Sequence, residues 1–561
     1  MAHRTIVNLS LHHKSWSITV PGNFYLDTED YIIVNITERE FYMPENTPAT
    51  QTRNPNIWVP SVYFTQGFPY TTVMEMSAVF LLVLGITNDA LGIFLGLFGL
   101  PWAFKMIWSP LVDLTGTKRR WLLIMQALLF VTFSALAFFV FMPVSTVLKS
   151  VSFSMPNISN VGGMMSFTVG ILVLMFCIGF GLDKRRNGAT RAACALIAVT
   201  IVVLFFVFRS TIFIHQTLSL SSTIWILFAI FLLIAFFSAT QDIAIDGYYL
   251  DVLDPAGQAK YSGIRVMFYR IAMVTGGGFL VMLAGGSGKS IVWHSMTIPG
   301  FLTGWGAAFT LGAALFFIFL VFHAAYLPKP EAASQQKSKS DKKSFGEAFS
   351  TYLDQKRIVV ILLFILLFRI GDFLWKPMSK AFLLDIGVTV SQIGFLQGVI
   401  GIIATIFGTI VGGIYISKRG LTRGLWVLGI IQSVTLLLYA WLAFHYKVLP
   451  KGADGLAIHT ISRIGFIHVG IINTFENLAY GLGTIAFVNF LMRTCKKEYN
   501  ATHYAIATSL MALATMLASL FSGFLEKDMG YMNFFILCFA TSIPGLLLLL
   551  FLPLKEMEAN K

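Results

Sequence analysis

The stretch IWILFAIFLLIAFFSATQDIAIDGYYLD, Ile224 to Asp251, decides the fold. It stays apolar for about four turns of a helix. It then delivers Gln241, Asp242 and Asp246 at its far end. Asp242 and Asp246 are four apart and share one helix face. A segment this long and apolar is sized for a bilayer. A carboxylate at the centre of such a helix costs roughly 2.5–3.5 kcal/mol, and less towards its end, so acids kept there face a bundle interior, a water-filled path or a cation. One reading pairs both acids with Arg265 and Arg270 of the next segment. The other gives them a direct role in handling substrate or protons.

Working outward, composition agrees with a membrane. Hydrophobic residues make up 56% of the 561 and charged residues 12%, about half the charged share of soluble domains. The formal charge of +13 therefore reads as a topology signal in short loops and not as a nucleic-acid footprint. The four cysteines, Cys177, Cys194, Cys495 and Cys538, are scattered and form no disulfide frame or metal spacing. The first 20 residues lack a continuous apolar core, so no signal peptide is expected.

Residues 1–56 read as a polar cytoplasmic extension, with a short strand possible at Tyr31 to Ile36. Apolar spans follow near 58–84, 89–112, 119–142, 163–182, 190–208, 222–247, 264–285 and 303–326. After a lysine-rich linker at 328–356 come spans near 357–375, 391–416, 423–445, 464–490, 503–524 and 532–553. Each is close to the ~20 residues that a bilayer requires. The expected fold class is an all-α polytopic membrane protein of about 14 spans. With the amino terminus inside, Lys118 to Arg120, Lys184 to Arg186, the linker, Lys418, Arg419 and Arg423 all fall on inner loops. Lys149, Arg209, Lys289, Lys376, Lys380, Lys447, Lys451, Arg463 and Lys527 fall outside. The asymmetry places both termini in the cytoplasm.

Two fragments repeat at one topological position. WSPLVDLTGTKRRWLL (Trp108 to Leu123) follows the second span, and GGIYISKRGLTRGLWVL (Gly412 to Leu428) follows the tenth. Both place turn residues and a cluster of cations between two spans, as repeated halves of secondary transporters do. The first resembles the loop motif of the major facilitator superfamily, with Asp113, Gly116, Lys118 and Arg119 at matching places. That superfamily has two six-helix bundles, so two spans are additional. The expected insert is 144–221, within a first bundle over 57–327. The second bundle covers 357–555, and 556–561 is a tail.

A narrower resemblance lies in NPNIWVPSVYFTQGFPYTTV (Asn54 to Val73), LPWAFKMIWSPLVD (Leu100 to Asp113), SATQDIAIDGYYLDVL (Ser238 to Leu253), FRIGDF (Phe368 to Phe373) and ENLAYGLGTIAFVNFL (Glu476 to Leu491). These resemble the AmpG family of muropeptide permeases, and more distantly the acetyl-CoA transporters. Phe68 in the usual GLP turn, the extra spans and the amino-terminal extension depart from the pattern. The resemblance implies proton-coupled import of peptidoglycan fragments across a bacterial inner membrane. The alternative is carriage of an acyl-CoA or another sugar-containing anion. No cofactor is implied beyond the proton gradient as energy source. The expected partners are a muropeptide-like small molecule and the lipid bilayer, with no nucleic acid and no ATP, and the protein is expected to be a monomer.

Candidate site residues follow from polarity at membrane depth. Gln66, Tyr70, Gln126, Gln397, Glu476, Asn477 and Tyr480 are expected to bind substrate. Glu75, Lys105, Asp113, Asp242, Asp246, Arg270, Arg369 and Asp372 are expected to couple protons or gate. Glu75 is either a proton site or half of a structural pair. Lys105 either snorkels to the inner interface or meets Asp242 or Asp246. Arg369 and Asp372, three apart, neutralise each other or reach across the pathway. Lys376 is placed at the outer mouth. Gly394/Gly398 and Gly408/Gly412 allow close helix approach. No phosphate-binding loop of the G-x-x-x-x-G-K-[ST] kind occurs. A membrane-bound acyltransferase and a transporter-like receptor are the competing classes.

Overall fold

The computed structural model describes residues 8–12, 15–19, 53–114, 117–141, 222–286, 291–293, 296–298, 300–329, 350–451, 457–496 and 500–554. The chain divides into two units, Met1–Thr52 and Arg53–Lys561. The first holds one antiparallel hairpin, Asn8–His12 with Ser15–Thr19. The Tyr31 to Ile36 strand, the inserted pair of spans and most of the linker lie outside the described residues.

The second unit is helical. Its long helices among the described residues are α1 (55–83), α2 (Asn88–Leu114), α3 (Lys118–Phe141), α4 (Ser222–Val252), α5 (255–286), α6 (Gly300–Tyr326), α7 (358–385), α8 (390–419), α9 (Leu421–His445), α10 (Arg463–Arg493), α11 (500–529) and α12 (531–547). A short hairpin, Ile291–Trp293 with Met296–Ile298, precedes α6. Eight helices among the described residues are long and apolar enough to cross a membrane. Their lipid face is visible on α8, where Ile403, Phe407, Ile410 and Ile414 are all more than half exposed at helical spacing. Soluble monomers rarely leave such a stripe uncovered, and in a chain this apolar it marks a lipid-facing surface.

Each repeated fragment lies between two helices. The first joins α2 to α3, and Lys118 at its end lies 3.7 Å from Asp251 of α4. The second joins α8 to α9 through Gly420, whose φ of +84° only glycine adopts without cost. Gly530 (φ +75°) turns the chain between α11 and α12 in the same way.

α1–α6 and α7–α12 form the two bundles. Three helices carry a π-turn: α1 at Thr72–Met76, α5 at Val274–Phe279 and α8 at Gly394–Ile400. The turns of α5 and α8 touch across the bundles at Gly278 and Gly398, where a side chain on either would strike the opposite backbone. α2 packs along α11 through Gly92, Gly96 and Gly523. One set of described polar contacts between bundles lies at the end away from the linker. Lys527 Nζ lies 2.9 Å from Asp89 Oδ2, and Asn88 Nδ2 donates to Glu526 at 2.7 Å and to Tyr531 Oη at 2.8 Å. Tyr531 in turn donates to Asp385 at 2.7 Å.

One expected boundary is corrected. The seventh core span does not stop at residue 375 but continues to Asp385 as helix Ile370–Asp385. Lys376 and Lys380 are therefore not loop residues; Lys380 is 4% exposed. Two cations leave the outer count, which sharpens the loop asymmetry.

Candidate functional site

α7 breaks after Leu367 and restarts at Ile370. The break puts Arg369, Asp372, Lys376 and Lys380 on successive turns of one face. That face looks at the π-turn of α1, where Glu75 stands. Lys376 Nζ lies 2.6 Å from Glu75 Oε1, and Lys380 Nζ lies 2.5 Å from Glu75 Oε2. One carboxylate thus ties two lysines of the other bundle.

The triad faces a cavity between the bundles of about 60 Å³. Arg270 of α5, Gln397 of α8, and Asn477 and Tyr480 of α10 line it together with Glu75, Lys376 and Lys380. Gln397 Nε2 donates to Ser379 Oγ at 3.3 Å. Lys376 Nζ lies 5.5 Å from the centre of the Tyr480 ring, and the Arg369 guanidinium covers that ring at 4.3 Å. The cavity therefore combines three cations, one carboxylate, two amides and an aromatic face. It suits an anionic solute that also carries neutral hydrogen-bonding groups.

The remaining candidates divide. Lys105 pairs with Asp242, which also accepts from Gln66 Nε2. Tyr63 donates to Asp246 at 3.2 Å, and Arg265 donates to Tyr63 Oη at 3.3 Å. The Arg265–Arg270 pairing of both acids is thus corrected. Arg265 reaches Asp246 only through a tyrosine, and Arg270 points to the cavity. Lys105 and Asp242 keep 25% and 14% of their side chains exposed. They form a second polar cluster on the linker side of the cavity residues of α1. Tyr70 packs edge-on against Trp102, with ring centres 5.0 Å apart. Arg369 Nε lies 3.1 Å from Asp372 Oδ2, so this pair closes locally.

Three expectations fail on geometry. Gln126 does not line the cavity. It is fully buried within the first bundle, donates to Thr65 Oγ1 at 3.1 Å and meets His323 Nδ1 at 2.8 Å. Glu476 is 0% exposed and sits behind the cavity wall. Lys376 is in the cavity and not at a rim. Asp113 lies on the last turn of α2, and its side chain falls outside the described residues. The sequence reading missed Lys380 as a site residue, although its spacing of four from Lys376 was a usable signal.

Two helical bundles enclosing a polar cavity at membrane depth define a multi-pass membrane transporter. Residues 127–494 match the Major Facilitator Superfamily, and the chain belongs to that superfamily. It is similar to the anhydromuropeptide permease of Escherichia coli K12, 25% identical over 494 residues covering 87% of this chain and 77% of that one. It is also similar to an uncharacterized protein of Haemophilus influenzae, 25% identical over 508 residues covering 89% and 94%. Among solved structures, a bacterial homologue of the lysosomal transporter Spinster, in an inward-facing and unoccupied conformation, superposes with a TM-score of 0.57 at 13% identity, covering 91% of this chain and 98% of that one. A D-xylose–proton symporter superposes at 0.53 with 12% identity, covering 89% and 98%. These two likenesses carry the fold.

Proposed function

We propose that the protein imports anhydro-muropeptides across the bacterial inner membrane, driven by the proton gradient, for cell-wall recycling. The observation that carries this reading is the Glu75–Lys376–Lys380 triad in the inter-bundle cavity. A muropeptide brings peptide carboxylates, acetamides and sugar hydroxyls. Its carboxylate competes with Glu75 for the two lysines, and Arg270 adds a third cation. Asn477 and Gln397 match the acetamides, while Tyr480 offers a flat face to a sugar ring. Glu75 keeps the lysines charged and oriented while the site is empty, which lowers the cost of holding cations at membrane depth. Similarity to the permease supports the substrate class.

The cluster of Lys105, Asp242 and Gln66, with Tyr63, Asp246 and Arg265 beside it, gates the linker side. The excess of basic residues in the loops on that side supports a cytoplasmic location for it and for both termini. Uptake of labelled anhydro-muropeptide into proteoliposomes tests the reading. An inward proton gradient is expected to drive accumulation above the external concentration. Equal uptake with and without the gradient contradicts proton coupling. Full competition by an acyl-CoA contradicts the substrate class.

A further inference from the structure

Glu476 is the only carboxyl group among the described residues whose two oxygens are both buried and both without a hydrogen-bond partner. Every other buried acid among the described residues has a named partner: Asp89 Lys527, Asp372 Arg369, Asp385 Tyr531 and Glu526 Asn88; the half-buried Glu75, Asp242 and Asp246 are paired too. An ionised carboxylate in a dry interior with nothing donating to it is unsustainable, and such a group takes up a proton instead. We propose that Glu476 carries the coupling proton, held as the neutral acid in the arrangement seen here. This rests on the import reading above and names the proton site within it.

The neighbours of Glu476 support the assignment. Arg369 and Asp372 face it from α7, Thr435 and Tyr439 from α9, and Cys538 from α12. Asn473 and Tyr480 lie one turn away on its own helix. The only cation in this set is Arg369, and its Nε is committed to Asp372. Ionising Glu476 would place two carboxylates against one guanidinium. The set is also incomplete as it stands. Arg369 Nη2 and Asp372 Oδ1 are buried without partners, so the guanidinium has a donor to spare. Arg369 sits at the break in α7 with φ −118° and ψ 15°, outside both helical segments. A change at that break turns Nη2 towards Glu476.

The step is a simple exchange. The Glu476 O–H bond breaks, the proton passes to water in the cavity, and the carboxylate accepts from Arg369. No electrons move. The Arg369 guanidinium lies on the Tyr480 ring, and the other side of that ring's environment is Lys376 and the cavity. Solute against Tyr480 therefore biases where Arg369 points, which links binding to proton release.

Infrared difference spectroscopy of the full chain in lipid at neutral pH, native minus Glu476→Gln, tests the assignment without transport. A protonated-carboxyl band present in the native protein and absent from the variant is expected. A carboxylate band in its place overturns the proposal. In proteoliposomes, Glu476→Gln is expected to lower gradient-driven accumulation of anhydro-muropeptide at least tenfold. Native-level accumulation by the variant also overturns it. If the native protein itself accumulates nothing, the import reading falls, and the infrared band alone decides whether Glu476 holds a proton.

Discussion

Glu75 is bonded by two lysines, whereas each lysine has only one carboxylate. Removing one lysine leaves a pair; removing Glu75 leaves two like charges facing each other. Stripping a buried ion of its partner costs about 3–5 kcal/mol, less here because Lys376 is 34% exposed. Glu75→Gln is therefore expected to lower the melting temperature in detergent more than Lys376→Met does. The opposite order contradicts the triad. Gln126 makes a different case. Gln126→Leu leaves His323 Nδ1 without its partner, while His323 Nε2 keeps Ser61 and Thr65 keeps the Val62 carbonyl; it is expected to cost about 1–3 kcal/mol of stability, while KM stays within about twofold. Sequence reading singled out both residues correctly as polar groups at depth, but polarity alone does not tell a cavity wall from a bundle interior. Lys376 and Lys380 were misplaced because two lysines and Pro377 end an apolar window. The sequence does not show that a carboxylate 305 residues earlier neutralises Lys380.

At the scale of elements, the three π-turns fall where the bundles meet. Glu75, Gly277 and Gln397 come from them, and all three line the cavity. A π-turn places one extra residue in a turn and re-aims the side chains around it, at a cost tolerated mainly at functional sites. No residue pattern in these segments announces them. The loops between repeated fragments, by contrast, were legible, because glycine and clustered cations each have a local reason to be there. The glycine spacing in α8 was legible as close packing but not as contact between bundles. Gly398→Val sets a branched side chain against the backbone of Gly277 and Gly278. It is expected to push the bundles apart at this end. A cysteine placed by Ile86→Cys at the buried α1–α2 turn would then react faster with a membrane-impermeant maleimide from that side. Unchanged reactivity would show that the glycine contact does not hold the closure.

Across the whole molecule, the contacts between bundles form two layers. The triad sits at the cavity, and the Asn88–Glu526–Tyr531–Asp385 set closes the end away from the linker. Lys527 is 63% exposed, and an exposed pair of this kind contributes little. The buried Tyr531 is the stronger element. Tyr531→Phe removes one bond each from Asp385 and Asn88, which keep Lys451 and Glu526, and is expected to weaken the closed arrangement by about 1 kcal/mol. The maleimide assay at Ile86→Cys reads this as a rate increase of at least fivefold, and no increase would remove Tyr531 from the closure. The helices among the described residues and their order were legible from hydropathy and loop charge. Which ends touch was not, because those contacts join residues more than 400 positions apart.

Binding affinity tests the central claim most directly, namely that a solute carboxylate takes the place of Glu75 at Lys376 and Lys380. Calorimetry would compare an anhydro-muropeptide with its peptide-amidated form on native protein and on Lys380→Met. The native protein is expected to bind the acid at least tenfold tighter than the amide, and the variant is expected to lose that preference. Equal affinity of native protein for both forms would contradict the account.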